Sequence, residues 1–193
     1  MNRDTAATVP QIVRIHSGMD MDTLPAPAEV GGKAWGLARL ATAGIHIPPA
    51  FVLGTALCRE YFEHGRTLSK ALRETIQQQV HWLEDLTGTT FRSRRNPLLL
   101  SVRSGAPVSM PGMMETLLNI GINEESVRGL IRSTGNPRLA WDSYRRLLLG
   151  YAGVVHPEHV AMLEAIQTRH LKQQGLRYTG ELDSMAYRQL CTE

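Results

Sequence analysis

"LLLSVRSGAPVSMPGMMETLLNIG", residues 98–121, carries an apolar run into an arginine, then crowds serine, glycine, proline and methionine together before turning apolar again. The pattern predicts a strand over Leu98–Val102, a loop, and a second strand in which Leu118, Ile120 and Ile122 alternate. A buried strand that emerges on Arg103 and runs at once into Ser104-Gly105-Ala106 implies that something polar meets it there. A guanidinium at such a point offers a forked pair of donors to phosphate oxygens. Ser104, Gly105, Ser109 and Gly112 supply small side chains and backbone amides around it. The same residues also suit an arginine paired to a structural carboxylate beneath a surface loop. Met110, Met113 and Met114, beside Pro111-Gly112, fit either core filling or a loop folding over an apolar-plus-phosphate ligand. The residue chemistry leaves both open.

Working outward, a second anion-seeking feature stands at Gly31-Gly32-Lys33, where a helix begins and runs through Leu37, Leu40 and Ala41 to a C-terminal Gly44. Paired glycines let a backbone approach an anion, free N–H groups at a helix start point toward it, and the lysine adds a point charge. A Gly-Gly pair before a helix is also an ordinary turn, and the order required for a Walker A loop is absent. Residues 1–30 read as irregular, with a short apolar stretch at Ile12–Ile15 and a proline-containing loop at Leu24–Pro27. A short strand is expected at Phe51–Leu53, and Thr55 reads as the N-cap of a short helix through Tyr61 and Phe62. Ser69 opens the clearest helix, with Leu72, Ile76, Val80, Leu83 and Leu86 on one face until Gly88. After Asn123 the character is helical: Asn136-Pro137 is a cap followed by proline at the first helical position, another helix carries Val160, Leu163 and Ile166, and a last one starts at Asp183. The expected division is therefore an α/β part over residues 1–122 and a helical part over 123–193.

The bulk properties narrow the function classes. With 193 residues, 42% hydrophobic and 20% charged, the chain has the composition of a soluble globular protein. No apolar run approaches the roughly 18 residues that span a bilayer, and the first residues carry no apolar export core, so neither a membrane nor export is expected. Cys58 and Cys191, the two cysteines, give neither a disulfide framework nor zinc-site spacing, which makes a reducing cytoplasm the expected location. The net charge of +3 suits an anionic ligand but is too weak to imply nucleic acid. The Arg92, Arg94 and Arg95 cluster has no interleaved aromatics to stack bases. Among the seven histidines, His156 and His159 have metal-like i, i+3 spacing without a third ligand in view, so no metal site is assigned. His46, between two isoleucines, reads as structural, and Glu124, Glu125 and Glu158 read as solvated or helix-starting charges.

Three stretches, "GGKAWGLARLATAGIHIPPAFVL" from Gly31, "LLLSVRSGAPVSMPGMMETLLNIGIN" from Leu98 and "TGNPRLAWDSYRRLLLGYAGVV" from Thr134, together resemble the N-terminal nucleotide-binding domain of the pyruvate, phosphate dikinase family. They occur in the family's order, and the resemblance extends over nearly the whole chain. The related phosphoenolpyruvate synthases carry a different, more acidic loop after a similar start. The resemblance implies an α+β fold, a partial ATP-grasp domain with its mixed subdomain followed by a helical one. It also implies ATP as ligand, with Lys33 and Arg103 holding phosphate and Gly112, Met114 and Thr116 on the loop that covers the polyphosphate. Ala34 stands where a third glycine is usual, Pro107 where a basic residue is common, and Glu115 where aspartate is common. Family enzymes are several times longer. The adenine pocket, the magnesium-binding carboxylates, the phosphohistidine domain and the pyruvate-binding barrel are all expected in parts that these residues do not match. The expectation is a phosphotransferase fragment that binds nucleotide without turning over, with no catalytic residue of its own. The alternative is a truncated paralogue serving as a nucleotide-binding or protein-interaction module, whose partner is the missing half of the domain or a second copy.

Overall fold

The computed structural model describes residues 12–23, 25–104 and 116–193. It is mixed helix and sheet and divides into two compact units, one drawn from residues up to 86 together with Ser104, the other from 87–103 and 116–193. The boundary read from sequence near residue 123 falls inside the second unit, because the strands between Thr90 and Ile120 belong with the helices that follow them.

In the first unit, β1 (Ile12–Ile15) pairs antiparallel with β2 (Ala50–Leu53), Ile12 opposite Leu53 and Ile15 opposite Ala50. The stretch read as irregular thus contains a strand. It also contains a helical turn, α1 (Pro27–Val30), with Pro27 as its first residue rather than part of a loop. Proline's fixed φ and missing N–H suit that position, and four residues are too few for a hydrophobic periodicity to reveal. Against the sheet lies α2 (Gly32–Thr42). Its inward stripe is Ala34, Leu37, Ala38 and Ala41, while Leu40 points outward at 45% exposure. Together with Ile15, Met19 and Ile47 these residues form the unit's core.

Helix α3 (Thr55–Glu63) is preceded by Gly54 as its cap residue. The Thr55 hydroxyl donates instead to the Ala28 carbonyl at 2.9 Å and so ties α3 to α1. Ser69 does cap α4 (Lys70–Thr87), its Oγ accepting the Leu72 N–H at 3.1 Å. The deeply buried positions of α4 are Leu72, Gln79 and Leu83, whereas Leu86 is 53% exposed. Gln79 was not visible in the apolar pattern. It is buried because its Oε1 accepts from Arg14 Nε of β1 at 2.7 Å, which removes the cost of an unpaired amide. The Arg14 guanidinium also lies 4.8 Å from the Trp82 ring centre.

The second unit opens with β3 (Thr90–Phe91) parallel to β4 (Pro97–Leu98), followed by an antiparallel pair, β5 (Leu100–Arg103) and β6 (Thr116–Ile120). The single strand expected over Leu98–Val102 is therefore broken at Leu99, each half finding a different partner. In β6 the expected alternation also breaks. Asn119 takes a φ of +62°, so Leu117 rather than Leu118 turns inward, while Leu118 is 54% exposed. Gly121 follows with φ +107°, and a Cβ there would stand 2.7 Å from both the Leu98 carbonyl oxygen and the Phe91 ring.

Four helices complete the unit: α5 (Val127–Thr134), α6 (Pro137–Val155), α7 (Val160–Gln173) and α8 (Ser184–Thr192). Asn136 caps α6 by accepting from Leu139 N–H at 2.9 Å, and Asp183 caps α8 by accepting from Ala186 N–H at 2.8 Å, both as their positions in sequence suggest. Leu117 lies over Gly150 of α6. The core gathers Ile122, Val127, Ala140, Trp141, Leu182, Ala186 and Tyr187. Arg138 locks α6 to the turn before α8 by donating to the Leu182 carbonyl at 2.8 Å and to the Gly180 carbonyl. Among the described residues, no helix is long and apolar enough to cross a membrane.

Candidate functional site

Gly31 holds the start of α2 in an unusual backbone. Its φ of 80° and ψ of 160° lie where essentially only glycine is at ease. The Gly31 N–H donates to the Pro27 carbonyl at 2.9 Å, closing α1, and its carbonyl accepts from Trp35 N–H at 3.0 Å, opening α2. One residue therefore ends one helix and begins the next. The cap residue Gly31 has no side chain to bond the first turn of α2, and no other described residue does so, which leaves N–H groups of the kind that favour an anion. Gly32 has no such backbone demand: a Cβ added there meets nothing within 4 Å. Lys33 is exposed on this same turn.

Arg103 and Thr116 are brought together by the second unit. They pair directly in the β5–β6 register and form the open end of that ribbon, where residues 104–115 connect the strands. The strand leading to Arg103 is not buried as expected. Ser101, Val102 and Arg103 are all exposed, because α6 packs against β6 and β5 forms the outer strand of the ribbon. Burial therefore does not fix the guanidinium; its Nε reaches Ser101 Oγ at 3.4 Å, a long and weak contact. Ser101 was not singled out in the sequence. The signal for it was the two-residue spacing that puts alternate strand side chains on one face. Gly112 and Met114 lie outside the described residues, as do the other loop methionines.

The charge environment of the two cations is alike. Among the described residues, neither Lys33 nor Arg103 has a carboxylate partner, whereas Arg145 and Arg146 share Asp142 at 2.7 and 2.8 Å. Burial pushes the Asp142 carboxyl up, but the hydrogen bonds and charges of Arg145 and Arg146 outweigh it and hold the group below its ordinary range. Those are structural cations, already satisfied. The structural-carboxylate reading of Arg103 thus has no support among the described residues. Burial raises the Cys191 thiol to about 12, which makes it an inert core group rather than a nucleophile. No buried side-chain polar atom among the described residues lacks a partner.

No protein-family model matches the chain. Individual relatives do. The chain is 40% identical over 153 residues to the pyruvate, phosphate dikinase of Clostridium symbiosum, 79% of the chain being covered. It is 46% identical over 126 residues to that of Rhizobium meliloti, and 41% identical over 169 residues to that of Giardia intestinalis. These alignments cover 65% and 84% of the chain. The matched segment is 18%, 14% and 19% of the respective relatives, so the chain spans less than a fifth of their length.

Proposed function

We propose that this chain, a homologue of the pyruvate, phosphate dikinases, supplies the phosphate-gripping share of an ATP-grasp nucleotide site within a protein of that activity. In this reading Lys33 and the uncapped first turn of α2 hold one part of the polyphosphate. Arg103 and Thr116, side by side at the mouth of the β5–β6 ribbon, hold another, and the family resemblance assigns Gly112 and Met114 to the same ligand. The observation that supports the reading is the placement of two exposed cations, Lys33 in the first turn of α2 and Arg103 at the end of β5 directly opposite Thr116. The open space over Gly32 is a second support, since nothing among the described residues calls for glycine there.

The chemistry on offer is cationic. Phosphoryl transfer also needs a divalent cation to neutralise the β- and γ-phosphate oxygens. The residues proposed for the site include no carboxylate to hold one, and magnesium ligands are assigned to the remainder of the family's domain. These 193 residues accordingly bind ATP weakly and do not complete the transfer alone. Calorimetry with Mg-ATP tests this: Arg103→Ala lowers affinity roughly 10- to 100-fold, the scale of losing charge-assisted hydrogen bonds of about 1.5–3 kcal/mol, and Arg103→Lys recovers part of it. ATP binding unchanged by Arg103→Ala would show that the phosphates sit elsewhere.

A further inference from the structure

His156, Glu158 and His159 converge at the corner between α6 and α7, and we propose that they form a surface site for a borderline divalent cation of the zinc class. The backbone explains the convergence. Pro157–His159 is a single tight 3-10 turn, with His156 as the cap residue that leads into it and His159 as its last residue. The turn brings the two rings 5.5 Å apart and within 26° of parallel. The His159 N–H donates to the His156 carbonyl at 2.9 Å, and the His156 N–H donates to the Ala152 carbonyl at 2.8 Å, so the turn is anchored to the end of α6.

The third donor lies between the two histidines in sequence and curls back on them. Glu158 Oε1 stands 3.2 Å from His156 Nδ1. Ligands held at about 2.0–2.1 Å in a tetrahedral shell are roughly 3.3 Å apart, so this pair already has the spacing of two neighbouring ligands. One ligand atom from each of the three residues lies within 4.8 Å of the others, and all three side chains are exposed. Rotation of an exposed imidazole closes the remaining distance. Two imidazoles and one carboxylate suit zinc, nickel or copper better than magnesium or calcium, which prefer all-oxygen shells. The fourth position falls to water. The cluster is not among the residues proposed for nucleotide; a cation here would staple α6 to α7 rather than serve phosphoryl transfer.

The test is titration of the untagged chain with Zn²⁺ alone, followed by calorimetry and by thermal unfolding. One equivalent is expected to bind and to raise the melting temperature, since a ligand held by the folded state stabilises it. His156→Ala and His159→Ala should each weaken binding at least tenfold, and Glu158→Gln, which keeps the side chain's shape, several-fold. His81→Ala, removing another histidine paired to a glutamate (Nδ1 to Glu84 Oε2, 2.6 Å), should change nothing. Absence of binding at ~100 µM Zn²⁺, far weaker than a three-donor site should allow, would overturn the proposal. So would a His156→Ala/His159→Ala double variant that binds as the parent does.

Discussion

The two ends that present Lys33 and Arg103 are built by opposite means. At Gly31 the backbone does the work: a positive φ joins two helices at one residue, and the helix that follows is anchored by Ala34, Leu37, Ala38 and Ala41 in the core. At Arg103 the backbone is ordinary strand, and the position of the side chain follows from pairing with Thr116. One cation rides on a local feature of consecutive residues. The other depends on chain segments that must find each other across a loop. Local features survive distant changes, and paired ribbons inherit every weakness of the elements that set their register. The second end should therefore be the more fragile.

The largest expected effect exploits that fragility. Gly121→Ala places a methyl 2.7 Å from the Leu98 carbonyl oxygen, on a residue whose φ of +107° already disfavours a side chain. Backbone cannot yield as a flexible side chain can. A loss of about 3 kcal/mol is expected from strain and overpacking together, read by urea denaturation. Since Gly121 follows β6 directly, Arg103 and Thr116 should lose their pairing with it, visible as faster amide exchange in β5 and β6. Unchanged exchange there would mean that the ribbon's register is set elsewhere, and the contrast between the two ends would fail.

A smaller effect separates the units by pH. The second unit contains the charged network of Asp142 with Arg145 and Arg146, while the first is tied by a neutral amide, Gln79 accepting from Arg14. Asp142 titrates below its ordinary value when folded. Its contribution is therefore complete above the unfolded carboxylate's pKa and is lost as pH falls through the lowered folded one. Asp142→Asn should cost about 1–3 kcal/mol at neutral pH. The parent and variant stabilities should converge in acid. A constant difference down to the most acid condition would show that the loss is one of packing, not charge.

How far the sequence carries depends on the range of the interaction that fixes each element. Ser69, Asn136 and Asp183 announce their helices because a cap acts over three residues. Ile12–Ile15 was hidden because four residues of strand make sense only beside Ala50–Leu53. Gln79 was hidden because its partner, Arg14, is 65 residues away. The break at Leu99 and the inward turn of Leu117 were hidden for the same reason: positive φ at Asn119 and a second partner strand override the alternation. At the candidate site the residue types and the family resemblance were legible, with Lys33 and Arg103 as candidate phosphate-binding cations. That Arg103 stands on an exposed ribbon instead of a buried strand was not, since burial is decided by what the α6 face covers.

The least conspicuous substitution, Gly32→Ala, puts the sharpest question to the comparison. Gly32 sits in the first turn of α2, and an added methyl meets nothing within 4 Å. Alanine restricts the unfolded chain more than glycine does, so stability should hold or rise by about 0.4–1 kcal/mol. Mg-ATP affinity should nonetheless fall several-fold, because a methyl would stand where a phosphate comes against the backbone. Gly121→Ala and Gly32→Ala then form a matched pair: the first glycine serves the fold of the second unit, the second glycine serves a ligand. Should Gly32→Ala leave ATP binding intact while Arg103→Ala weakens it, the nucleotide would rest on the ribbon alone. The turn at Gly31-Gly32-Lys33 would then be a helix junction and nothing more.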